Sequence, residues 1–153
     1  MSRKASAIID RLGVKEPPIP VKDVAALFNI KVIDYPKFAS TISGKIVKGE
    51  NVTVIGVNPN HSEVRQRFTI AHELGHYLLG HEITDLLEES LEKPLDREKE
   101  ANTFAAELLM PIEFIKKDIE SGIVNIQSLA KRYNVSEQAI SIRLLNTGLI
   151  NKI

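Results

Sequence analysis

One segment constrains this chain more than any other: Phe68-Thr69-Ile70-Ala71-His72-Glu73-Leu74-Gly75-His76-Tyr77-Leu78-Leu79-Gly80-His81. Phe68, Ala71, Leu74, Leu78 and Leu79 make it a largely apolar helix, suited to a core. Helical positions four apart share a face, so His72 and His76 project one above the other. Polar side chains on a buried helix need partners, because leaving them unpaired is costly. Two imidazoles so placed can chelate one Zn2+ at about 2.0–2.1 Å each. Glu73 projects about 100° further round the helix. From there it reaches a water on the metal without ligating the metal, a general base beside a Lewis acid. Gly75 is a poor helix former, and its missing side chain lets another backbone approach. The bland alternative is two surface histidines flanking a solvated Glu. The apolar flanks argue against it.

His81 is not the third histidine of the longer motif HExxHxxGxxH. Counted from His72, Gly80 falls one residue late and His81 one residue early. At the end of a helix, His81 suits the dipole instead. The chain has no cysteine, so any zinc site uses histidine and carboxylate, which leaves room for a reactive water. The acidic candidates downstream are Glu98, Glu100 and Glu107. Glu98 and Glu100 lie about 200° apart on a helix and cannot share a face. Glu107 shares the face of Glu100 but lies about 10 Å further along the axis.

The length of 153 residues favours one domain. Lys plus Arg and Asp plus Glu both number 20, so no global field draws nucleic acid or an anionic membrane. The start, Met1-Ser2-Arg3-Lys4, leads into an amphipathic stretch rather than a signal-peptide core. No run approaches the ~20 apolar residues of a membrane span. A cytoplasmic protein is expected.

Along the chain, residues 3–12 read as a helix stopped by Gly13, and 20–28 as a second with Asn29 as a left-handed cap. Strands are expected at 30–35, 41–47 and 51–57, the last two as a hairpin, forming a small antiparallel sheet. An exposed edge of that sheet suits an extended peptide. Gly44 and Gly56 mark bulges or close approaches. Ser62 is placed to cap the histidine helix. Residues 82–96 read as an acidic surface loop over the cleft. Helices follow from Arg97 to Met110 and from Pro111 to Glu120, and the tail reads helix, turn at Asn134, Ser136 cap, helix.

Three blocks of the chain resemble the ImmA/IrrE family of zinc metallopeptidases. They are Arg67–His76, then Glu100-Ala101-Asn102-Thr103-Phe104-Ala105-Ala106-Glu107-Leu108-Leu109-Met110-Pro111, then Leu129-Ala130 through Arg143-Leu144. The resemblance implies an α+β fold, with the small sheet packed on a zincin-type helical core and helix-turn-helix-like C-terminal helices. It implies that Glu100 is the third zinc ligand beside His72 and His76. It also implies cleavage of a helix-turn-helix repressor, which switches on mobile-element, prophage or stress genes.

The expected reading is therefore a zinc-dependent endopeptidase with Glu73 as its base, Zn2+ as cofactor and a repressor protein as substrate. Tyr77, His81, Tyr35 and Arg143 are candidate oxyanion donors. Residues 1–122 are expected to form the peptidase core and 123–153 a helical segment packed on it, in one integrated domain. The alternative is a DNA-binding or partner-binding regulator with a zinc site and little proteolysis. Against DNA stand the neutral charge and a second tail helix with Arg143 as its one base-reading cation. The many apolar positions of the tail, Ile142 and Leu145 among them, suggest burial instead.

Overall fold

The computed structural model describes residues 3–81 and 95–153. The expected acidic loop at 82–96 lies almost wholly outside them. The elements in order are α1 (Arg3–Leu12), α2 (Val21–Leu27), β1 (Ile30–Asp34), β2 (Gly44–Lys48), β3 (Thr53–Val57) and α3 (Glu63–Leu78). They continue with α4 (Leu95–Leu109), α5 (Ile112–Glu120), α6 (Ile126–Tyr133), α7 (Glu137–Thr147) and a 3-10 turn at Leu149–Lys152. The fold is α+β. Its contacts divide the chain into two compact units, Pro20–Ala105 and Met1–Ile19 with Ala106–Ile153.

In the unit Pro20–Ala105, the sheet is mixed rather than antiparallel. Its order is β1-β3-β2, with β1 parallel and β2 antiparallel to β3. The hairpin β2–β3 is as its turn residues predict, with Ile46 opposite Ile55. The first strand differs because β3 inserts between it and β2, so β1 and β3 run the same way. Central β3 buries Thr53, Ile55 and Val57 on alternate positions, as a half-buried strand does. Asn58, 1% exposed, fixes the crossover by donating from Nδ2 to the carbonyls of Ile42 at 3.0 Å and Ala39 at 3.3 Å. Gly44 is a close approach. A Cβ there would lie 2.6 Å from both the Gly56 carbonyl oxygen and Thr69 Cγ2, so this end of the sheet seats directly on α3.

Helix α3 starts where its cap predicts, with the Ser62 hydroxyl accepting from the Arg65 amide at 3.4 Å. It buries Thr69, Ile70, Ala71, Glu73, Leu74, Gly75 and His76. Its end is a Schellman cap. Gly80 takes φ 72°, the His81 amide donates to the His76 carbonyl at 2.9 Å, and the Gly80 amide donates to that of Tyr77 at 3.3 Å.

In the other unit, α6 and α7 form the expected helix-turn-helix. Asn134 takes φ 53° between them, and the Ser136 hydroxyl accepts from the Ala139 amide at 3.0 Å. Leu129, Ala130, Val135 and Leu144 are buried, but Ile142 and Leu145 are 49% and 62% exposed. Their apolar character therefore does not mark core positions. Asp118, 5% exposed, accepts from Arg132 Nε at 2.8 Å and from the Tyr133 hydroxyl at 2.7 Å.

Candidate metal centre

His72 and His76 do face the same way, and their Nε2 atoms lie 3.1 Å apart. The carboxylate between them belongs to Glu98. Its Oε2 is 2.9 Å from His72 Nε2 and its Oε1 is 3.0 Å from His76 Nε2. Among the described residues this His72-His76-Glu98 group is a constellation that could hold a metal ion.

Glu100 is not at this site; its side chain is 56% exposed, and its Oε1 lies 3.6 Å from His81 Nε2. The resemblance implied Glu100, whereas the structure brings Glu98 to the two histidines. Helix α4 meets α3 at Gly75 through both Ala101 and Phe104. A Cβ built on Gly75 would lie 3.2 Å from both the Cα and the carbonyl oxygen of Ala101 and 3.1 Å from Phe104 Cδ1. Small residues let the two backbones meet there. Glu98 and Asn102, three before and one after Ala101, then flank the contact. Glu100, about 200° from Glu98, turns away. The small-residue pair was the available signal: Gly75 asks for a close backbone, and Ala101 is the small residue in α4 best placed to supply one.

The donor set fits a metal. A tetrahedral zinc with bonds of about 2.0–2.1 Å separates its ligand atoms by about 3.3 Å. The three edges here are 2.9, 3.0 and 3.1 Å, so the ligands need to part only slightly. Proton placement agrees. His72 Nδ1 is 2.7 Å from Asn102 Oδ1, a carbonyl oxygen that only accepts. Nδ1 therefore carries a proton, which leaves Nε2 as the ring nitrogen available to a metal. A second side chain that fixes the ring and tautomer of a ligand is a common companion of metal histidines.

Glu73 follows His72 on α3 and is 4% exposed. Of the candidate oxyanion donors, Tyr35 is 42% exposed with its ring 4.8 Å from Phe38. His81 stands with its Nδ1 2.8 Å from His76 Nδ1. Tyr77 lies on the C-terminal turn of α3, partly exposed. Arg143 donates from Nε to the Met110 carbonyl at 2.9 Å. Burial holds its guanidinium below its ordinary pKa, against the opposing charge of Glu107.

An α+β domain that carries its two-histidine, one-carboxylate cluster on a HExxH helix and the helix after it is built like a metallopeptidase. The model of the IrrE N-terminal-like domain, Peptidase_M78, matches residues 25–145, and the chain belongs to that family. A Mycobacterium tuberculosis transcriptional regulator has a similar structure, with a TM-score of 0.72 at 19% identity. That likeness is one of fold. It covers 93% of this chain and 45% of the regulator, so the chain spans less than half of that protein. Among curated proteins none matches.

Proposed function

We propose that this protein is a zinc-dependent endopeptidase that cuts a protein substrate, a helix-turn-helix transcriptional repressor, in the cytoplasm. The observation that carries the reading is the convergence of His72 Nε2, His76 Nε2 and the Glu98 carboxylate within hydrogen-bond distance of one another. The family match supports a peptidase. The repressor follows from the resemblance of the three sequence blocks. No helix among the described residues is long and apolar enough to cross a membrane.

In this reading His72, His76 and Glu98 hold Zn2+, which supplies Lewis acidity and ionises water near neutral pH. Asn102 keeps the proton of His72 on Nδ1 and its Nε2 toward the metal. Glu73 takes the proton of the attacking water on its carboxylate and returns it to the leaving amine nitrogen. Its burial on α3 keeps that carboxylate away from bulk water. Glu73→Gln should keep zinc and fold and lose cleavage. The test is incubation of the zinc-loaded protein with candidate repressors and mapping of any cut. Cleavage at the wild-type rate by Glu73→Gln would remove Glu73 as the base.

The second reading is a regulator that binds DNA or a partner and cleaves little. The name of the similar M. tuberculosis protein and the α6–α7 pair favour it. Against DNA, Arg143, the one cation of α7, is engaged by the Met110 carbonyl, and that helix instead exposes Ile142 and Leu145. Specific duplex binding with a steep salt dependence would promote this reading.

A further inference from the structure

We propose that His81 is a positioning residue for the metal site, held against His76 by the Schellman cap of α3. The inference rests on the zinc reading above. Glu100, displaced from the metal by the phase of α4, has its Oε1 3.6 Å from His81 Nε2. The other ring nitrogen of His81, Nδ1, is 2.8 Å from His76 Nδ1. One proton lies between those two nitrogens, and its owner decides what His76 can do. The Glu100 carboxylate lies beyond hydrogen-bond distance and biases His81 only electrostatically, toward a proton on Nε2. In that tautomer His81 Nδ1 accepts from His76 Nδ1–H at 2.8 Å. His76 then turns its Nε2 to the site shared with His72 and Glu98.

His81 thus does for His76 what Asn102 does for His72. Both metal histidines are set in the same tautomer, one from α4 directly and one through the end of α3. The backbone supplies the reach. Gly80 at φ 72° reverses the chain, and the His81 amide is tied to the His76 carbonyl at 2.9 Å. The ring of His81 is thereby brought onto the ring of His76, with centroids 5.0 Å apart. The sequence Gly80-His81, unusable as the longer three-histidine motif, acquires a role outside the metal's own ligands.

The test is zinc affinity of the full chain by competition with a chelator, together with the tautomer of His76 read by long-range proton–nitrogen NMR in zinc-free protein. His81→Phe should bind zinc about 10- to 100-fold more weakly, the usual cost of losing such a support. It should also shift His76 away from the pure Nδ1–H form. His81→Gln, whose amide oxygen can accept, should recover part of both. Glu100→Gln should weaken binding by at most about twofold, since the carboxylate is exposed and beyond hydrogen-bond distance. That effect should vanish in the His81→Phe background. Wild-type zinc affinity in His81→Phe, or His76 protonated on Nε2 in the wild type, would overturn the inference. Failure of the wild type itself to take up zinc would sink the peptidase reading instead, and the tautomer measurement would still decide the hydrogen-bond chain.

Discussion

Glu98 and Asp118 each anchor a polar cluster, and the two clusters are built on opposite principles. Asp118 meets two donors, Arg132 Nε–H and the Tyr133 hydroxyl, so charge and protons balance within the protein. Glu98 meets the Nε2 atoms of two imidazoles. The first cluster is closed and tethers α5 to α6. The second gathers two histidines and a carboxylate, a donor set that fits a metal ion.

The comparison breaks most decisively at zinc. His76→Ala or Glu98→Ala should weaken zinc binding on the order of a thousandfold or more, since structural zinc binding draws on about 10–16 kcal/mol shared among few ligands. Glu107→Ala should leave it unchanged. Metal analysis after dialysis reads the difference, and equal zinc content in Glu98→Ala and wild type would remove Glu98 from the site. Asp118→Ala should show the opposite pattern. It strands the buried Tyr133 hydroxyl and loses a charged hydrogen bond, at a cost of about 2–4 kcal/mol in urea unfolding. Zinc affinity of the folded protein should not change. A zinc defect in that variant would show that the clusters are not independent.

Gly75→Ala sharpens the account of how Glu98 reaches its place. Alanine gains about 1 kcal/mol in helix propensity. The added Cβ would meet the Ala101 backbone at 3.2 Å, and overpacking of this kind costs about 1–3 kcal/mol. Backbone cannot swing aside as a side chain can, so the net effect should be a loss of about 1 kcal/mol with weaker zinc binding. Higher stability with intact affinity would mean that the site does not depend on this close approach of the two helices. The smallest effect appears only in alkali. Burial first, then the hydrogen bond to Asp118, pushes the Tyr133 phenol well above its ordinary pKa. Between the unfolded value near about 10 and the folded value, the unfolded state alone gives up the proton. Stability therefore falls as pH rises above about 10, by at most about 1.4 kcal/mol per pH unit. Tyr133→Phe should flatten that slope, and an unchanged slope would remove Tyr133 as its source.

The same contrast explains what could be read from the sequence. That His72 and His76 share a face was legible because the spacing is local to one helix. The caps at Ser62, Asn134 and Ser136 were legible for the same reason. The third carboxylate depends on the phase of one helix against another. Gly75 signalled a close approach, but not which residues of α4 would make it. The parallel pairing of β1 with β3 joins segments more than twenty residues apart, with β2 in between. Ile142 and Leu145 carry a core-like pattern, yet both are exposed, because α7 buries only Ile140 and Leu144.

The ligand atoms proposed for the metal are nitrogen and oxygen, and the chain has no cysteine. Peroxide disarms thiolate zinc sites by oxidising their sulfur through sulfenic acid and beyond. Here there is no sulfur to attack at the site, and Met110 is 1% exposed. A centre of this composition keeps its donors under oxidising conditions that would strip a cysteine-bound zinc.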